Sequence, residues 1–324
     1  MPMNRAGLVL FGAVLLALGG ASSVQAWHDP EHECFGQTET MVGTPANDVL
    51  TGTPGDDVIK AGLGDDTIDG GGGDDIICGE DGNDVITGGA GDDAISGDAG
   101  DDRVDGGDGF DIAFYYWSPA AVTASLETNT ATGWGTDTLA NFEGLVGSQL
   151  NGDTLTGDNQ INLLDGRGGN DTLMGGAGGD ALDGDDGNDV LDGGPGVDLV
   201  FYDYSPRGVS ANLSSHTGHG WGTDHYRSIE DLHGSQWGDV LTGNGGPNSL
   251  TGHCGPDRIV GGGGNDGLFG DSCTVDRELH QVPGSDRLYG GPGRDQLIGG
   301  PRKDFADGGP GRDRCVAERK LHCP

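Results

Sequence analysis

Lysine and arginine are scarce in this chain of 324 residues: 16 basic residues face 53 acidic ones, a net charge of −37. Binding a phosphate backbone needs a basic footprint, so nucleic acid is excluded as a partner. An anionic membrane surface would repel the chain too. Glutamate is also scarce, at nine of the 53 acids against 44 aspartates. Helical acidic proteins favour Glu, because Asp and Gly are poor helix formers, which argues against a mostly helical fold. Aromatics make up 6 %. What fills the space is glycine, 68 residues, well above the usual share of about 7 %. The glycines do not fall every third residue, so collagen is excluded. Few aromatics and high charge would suit disorder, but the order of the residues says otherwise.

Catalytic motifs are missing. There is no His-Glu-x-x-His, no Gly-x-Ser-x-Gly and no P-loop. The G-x-G-x-x-G strings lie in Gly-rich turns without the strand–helix context of a dinucleotide site. Long apolar runs are missing as well, except near the start. There Arg5 precedes an apolar run from Ala6 to Leu18, followed by Val24-Gln25-Ala26. That order is a secretory signal peptide, with cleavage after Ala26 and a mature start at Trp27. The run is short of the roughly 20 residues that span a bilayer, so the mature chain is expected to be exported and not inserted in a membrane. A lipoprotein reading is weak, because the first cysteine, Cys34, lies beyond the cut. No Cys-x-x-Cys exists, which argues against zinc at the cysteines. Six cysteines in an oxidising compartment suggest disulfides, with 15 connectivities open. Sequence proximity favours Cys254 with Cys273 and Cys315 with Cys323, leaving Cys34 with Cys78.

A repeat of nine residues organises the rest. From Gly43 to Phe114 eight units run in unbroken register. Their sixth position is always Asp: Asp48, Asp57, Asp66, Asp75, Asp84, Asp93, Asp102 and Asp111. Their eighth position is apolar, as in Ile59, Ile68 and Ile77. Six more units span 148–201, with Asp153, Asp171, Asp180, Asp189 and Asp198 at the sixth position. Four span 234–269, with Asp239, Asp257 and Asp266, and four degenerate ones span 281–316, with Asp286, Asp295 and Asp313. Asn162 and Asn248 replace the sixth-position Asp, which predicts weaker sites there. The unit 299–307 carries Arg302, Lys303 and Ala306 at unusual places, so the last block reads as a degenerate end that closes the stack.

These units resemble the RTX, or haemolysin-type, calcium-binding nonapeptide G-G-x-G-x-D-x-U-x. The resemblance implies an all-β fold, a right-handed parallel β-roll in several blocks with two duplicated β-rich inserts. In such a roll six residues make a calcium-binding turn and three make a short strand. Residue chemistry agrees. Gly supplies positive φ in the turn and lets backbone carbonyls, such as those of Gly64, Gly73, Gly82 and Gly91, approach a cation. Asp is a short, hard ligand for Ca²⁺, which takes six to eight oxygens. Two nonapeptides make one coil, so aspartates 18 apart stack in ladders. Asp48, Asp66, Asp84 and Asp102 form one; Asp57, Asp75, Asp93 and Asp111 form the other. Carboxylates stacked roughly 5 Å apart repel by several kcal/mol unless a cation intervenes. The resemblance therefore implies multiple Ca²⁺ ions, on the order of 14 at most given the oxygens each ion needs.

Two inserts interrupt the register, at 115–147 and 202–233, and they align at an offset of 87. The remaining segments are a cap at 27–42, a short insert at 270–280 and a tail at 317–324. Val122 to Leu126 and Val209 to Leu213 alternate with period two, which predicts strands. Most aromatics fall in or beside the inserts, either capping the apolar core or offering a sugar-stacking platform. His216, His219, His225 and His233 cluster in the second insert, where the first has Asn129, Thr132, Thr138 and Val146. His28 and His32 flank Asp29 and Glu31 near the mature start. Either group reads as solvated loop histidines or as a transition-metal site. The expected function is secreted, non-catalytic, multisite calcium binding coupled to folding. The alternatives are adhesion to an extracellular polysaccharide or cell-surface partner, and a hydrolase using insert residues.

Overall fold

The computed structural model describes residues 34–272 and 283–323. The signal segment, His28, His32 and Cys273 lie outside them. Among the described residues the chain is all-β, with one short 3₁₀ turn at Cys34–Gly36 and no α-helix. It winds as a parallel β-solenoid, the architecture of a right-handed β-roll. Two compact units divide at 163/164.

In the first unit strands 18 residues apart pair in parallel. Ile59 lies beside Ile77, and Ile77 beside Ile95. On the other sheet Ile68 lies beside Ile86, and Ile86 beside Val104. The eighth position of each repeat therefore stacks into an apolar column, and Ile59, Ile68, Ile77, Ile86 and Ile95 are at most 1 % exposed. Each such side chain contributes about 1.5–3 kcal/mol of burial, repeated along the column. The second unit repeats the scheme with Leu182, Val200, Leu232, Leu250, Leu268, Leu297 and Cys315 in one column. The neighbours of the core residue point the other way, yet in strands such as Ala94–Ser96, Ile112–Phe114 and Leu199–Phe201 they are buried too. At Phe114 the reason is visible: the Phe35 ring packs edge-on against it at 4.9 Å.

The inserts are strands of the roll. In the first, Thr136–Ala140 pairs in parallel with Arg103–Asp108, and Thr123–Ser125 pairs in parallel with Thr154–Thr156. Thr130–Thr132 runs antiparallel between them. Three strands thus stand where the repeat would place one. The opposite sheet takes a single ordinary step there, from Ile112–Phe114 to Gly144–Val146. The second insert builds the same triplet from Ser210–Asn212, Thr217–His219 and Thr223–Arg227. One size exchange separates the copies. Leu139 and Ala131 in the first become Tyr226 and Gly218 in the second. A Cβ on Gly218 would collide with the Tyr226 hydroxyl, so the larger ring requires the glycine.

Candidate metal centre

The sixth-position aspartates point into the turns. Asp66, Asp75, Asp84, Asp93, Asp102 and Asp111 are at most 3 % exposed. Each carboxylate Oδ1 accepts the backbone N–H of the aspartate 18 residues earlier. The Asp48 N–H donates to Asp66 at 2.7 Å, Asp66 to Asp84 at 2.8 Å, and Asp84 to Asp102 at 2.8 Å. Asp57, Asp75, Asp93 and Asp111 are joined in the same way, each bond 2.8 Å. The two ladders inferred from the repeat are therefore continuous hydrogen-bonded rows.

The second oxygen of each rung is different. Oδ2 of Asp66, Asp75, Asp84, Asp93, Asp102 and Asp111 is buried without a hydrogen-bond donor, and so is that of Asp189, Asp198, Asp257, Asp266, Asp286, Asp295 and Asp313. A buried carboxylate oxygen left this way is costly unless a cation faces it. Burial first, and neighbouring carboxylates after it, push Asp75 and Asp84 up to about 6 and Asp93, Asp102 and Asp111 to about 7. Asp257 is pushed to about 9 for the same reasons. Glycine keeps space open beside these oxygens. A Cβ on Gly79 would lie 2.4 Å from Asp84 Oδ2 and 2.8 Å from the Gly97 carbonyl oxygen. A Cβ on Gly82, at φ +157°, would lie 1.9 Å from the Gly64 carbonyl oxygen and 3.1 Å from Asp84 Oδ1. Gly73 and Gly91 repeat that relation on the other side, at 2.0 Å. Carboxylate and carbonyl oxygens thus gather where side chains are missing. An all-oxygen donor set of this kind fits a hard divalent cation.

The ladders run on through the inserts, using acids that the nonapeptide pattern does not mark. Asp102 N–H donates to Asp137 at 3.0 Å, and Asp111 N–H to Glu143 at 2.9 Å. In the second unit Asp189 donates to Asp224 and Asp198 to Glu230, at the same offset of 87. A tyrosine secures each insert aspartate: the Tyr115 hydroxyl donates to Asp137 at 3.0 Å, and Tyr202 to Asp224 at 2.8 Å. The recurrence of these acids in both inserts was the signal that could have found them. In the degenerate block Asp304 is also a rung, linking Asp286 to Glu318. Ligand atoms of Asp271, Asp286 and Asp304 lie within 4.8 Å of one another.

Rungs at the start of a run are satisfied internally. Asp48 Oδ2 accepts the Thr44 N–H at 2.6 Å and its hydroxyl at 2.8 Å. Asp57 Oδ2 accepts the Thr53 N–H. Asp153 and Asp239 receive Ser148 and Ser235 in the same manner. Asn162 and Asn248 each donate their amide to an insert carbonyl, of Glu143 and Glu230, which a carboxylate could not do. Asp171 and Asp180 take their places in the ladders of the second unit, bonded to Asp189 and Asp198.

A second, exposed ladder was also missed. Fifth-position Asn47, Asp56, Asp65, Asp74, Asn83, Asp92 and Asp101 accept the N–H of the fifth-position residue on the next coil, from Asp65 at 3.1 Å to Thr136 at 2.9 Å. The Asx that precedes the sixth-position Asp in seven of the eight first-block units was its signature. Two of the expected disulfides are present, Cys34–Cys78 and Cys315–Cys323. The pairing of Cys254 with Cys273 falls outside the described residues.

The RTX calcium-binding nonapeptide-repeat profile matches residues 42–77, 79–113, 151–182, 165–200, 242–272 and 282–315, more than half of the chain. This chain belongs to the RTX repeat family. RTX nonapeptides bind calcium, and the chain carries many copies of them. No curated relative matches it. Among the described residues, no helix of this RTX chain is long and apolar enough to cross a membrane.

Proposed function

We propose that this RTX chain is an exported, non-catalytic calcium module whose folding is driven by ions seated between successive turns. The observation that carries the reading is the row of buried Oδ2 atoms without donors. The sixth-position aspartates from Asp48 to Asp313 act as ligands, joined by Asp304, Asp137 and Asp224 and by turn carbonyls such as Gly64, Gly73, Gly82 and Gly91. Rungs whose second oxygen is free of internal donors hold ions most tightly. Calcium supplies positive charge between carboxylates that otherwise repel. The acids gathered by the fold are spent on backbone amides and neighbouring rungs, an arrangement suited to holding cations rather than to turning over a substrate. The signal-like first 26 residues and the disulfides support export. Extracellular calcium modules bind at about 10⁻⁴–10⁻³ M, so the chain would fold after release.

Far-UV circular dichroism of residues 27–324 tests this, titrating Ca²⁺ after EDTA treatment with Mg²⁺ as control. A cooperative coil-to-β transition near millimolar Ca²⁺ is expected. A β spectrum indifferent to EDTA and to Ca²⁺ would overturn it.

A further inference from the structure

Three side chains in the second unit converge away from the ladders. Phe201 lies beside His233, and His233 beside Thr251, on consecutive parallel strands. Asp203 and His253 each stand two residues beyond a strand-paired residue, Phe201 and Thr251, Asp203 in the turn that follows its strand and His253 in the left-handed region at φ +73°. Three successive coils therefore deliver one side chain each to one spot. The Asp203 Oδ1 and His253 Nε2 atoms are 3.1 Å apart. Both are buried atoms, and their geometry does not make a hydrogen bond. The His233 ring stands 5.2 Å from the His253 ring, nearly perpendicular to it. One ligand atom from each of the three lies within 4.8 Å of the others. The second nitrogen of His253, Nδ1, meets the Ser272 hydroxyl at 3.1 Å, which fixes the ring as an outer partner does in metal sites.

The internal duplication sharpens the point. At the offset of 87 the first copy has Tyr116 and Val146 in place of Asp203 and His233. After the second insert, one residue shorter than the first, the offset is 86, and Arg167 stands in place of His253. The fold thus needs none of the three, and metal-ligating types stand at all three places in the second copy. The remaining insert histidines, His216, His219 and His225, are exposed and take no part in the cluster.

We propose that Asp203, His233 and His253 bind one divalent transition-metal ion of the zinc class, separately from the calcium ladders. Two imidazoles and a carboxylate suit such an ion. Calcium takes oxygen ligands, so two imidazoles select against it.

The test is calorimetric titration of Zn²⁺ into the full mature chain saturated with Ca²⁺. One Zn²⁺ per chain is expected. His233→Val installs the residue of the first copy, and His253→Ala removes a second ligand. Each should weaken binding by more than the roughly 10-fold that loss of even an outer partner causes. The triple variant H216N/H219T/H225T should bind as the parent does. No binding, binding unchanged in both single variants, or binding lost in the triple variant overturns the site. Should either single variant fail to fold by circular dichroism, carbethoxylation of the parent decides. Zinc should protect His233 and His253 and leave His225 reactive; equal reactivity with and without zinc overturns the proposal.

Discussion

Replacing Asp84 by Asn should change stability in opposite directions with and without calcium. The substitution keeps shape and keeps an Oδ1 to accept the Asp66 N–H, now 2.8 Å away. Its new amide group would sit beside the Gly97 carbonyl oxygen, in the space left by Gly79. What it removes is charge. With strands about 4.8 Å apart and an effective dielectric near 20, each like-charged neighbour costs about 3 kcal/mol when both are ionised. Asp84 is raised to about 6, so partial protonation of the row reduces this. In EDTA the variant should gain about 1–3 kcal/mol. In about 10 mM Ca²⁺, a site of 10⁻⁴–10⁻³ M affinity contributes about 1.4–2.7 kcal/mol. Asp84 borders two such spaces, toward Asp66 and toward Asp102, so the variant should forgo about 3–5 kcal/mol of calcium stabilisation, a net loss of about 2 kcal/mol once the charge relief is set against it. Asp48→Asn is the comparison, because its Oδ2 already accepts Thr44 twice and it borders one space. Its calcium-dependent loss should be under about half as large. Urea unfolding followed by circular dichroism reads both. An Asp84→Asn effect of the same sign in EDTA and in calcium would refute the idea that these oxygens face a cation.

Acid should partly replace calcium. Asp93, Asp102 and Asp111 stand at about 7 in the fold against 3.8 ordinarily, so the folded state keeps protons that the unfolded chain releases. Calcium-free stability is then fully present below about pH 4 and lost as pH rises through 6 to 7. EDTA-treated protein should show more β signal at pH 4.5 than at pH 8; a flat or reversed profile counts against it. Gly82→Ala should cost about 2–4 kcal/mol in calcium, since its Cβ would meet the Gly64 carbonyl at 1.9 Å, whereas Gly55→Ala, with nothing within 4 Å, should be near neutral by thermal unfolding. The Cys34–Cys78 bridge joins residues 44 apart in sequence and Cys315–Cys323 residues eight apart. Opening the first by Cys78→Ser should cost about 4 kcal/mol and the second by Cys323→Ser about 2.5 kcal/mol, compared by urea unfolding in calcium.

Periodicity made most of the roll legible. A side chain that recurs every nine residues, alternating between sheets, has one stacking partner 18 residues away. Ile59, Ile77 and Asp75 could therefore be placed from sequence alone. The insert acids could not. Asp137 meets Asp102 across 35 residues and Glu143 meets Asp111 across 32. Those separations depend on how many strands the insert contributes, which no local pattern reveals. Asn162 and Asn248 read as weakened rungs, because an Asp-to-Asn change loses a charge; the carbonyls that their amides reach belong to residues 18 and 19 positions earlier. Asp304 was obscured by Lys303 and Arg302, whose charge distracts from an aspartate in correct register. The trio of Asp203, His233 and His253 lies at no repeat position in common, so only the fold brings it together.

The internally satisfied rungs divide the charge of the molecule into sentences. Runs open on a Thr-, Ser- or Asn-quieted residue, and three of them close on an insert or tail acid: Asp48 to Asp137, Asp57 to Glu143, Asp239 to Glu318. Electrostatic communication between ions is strongest within a run, where neighbours share a carboxylate. It is interrupted where a neutral amide or a hydroxyl-bonded oxygen stands between. The Hill coefficient of a calcium titration is then set by the few spaces of one run, not by the total number of ions bound. A chain built this way can lose one run to damage or to a poor site and still keep the others filled.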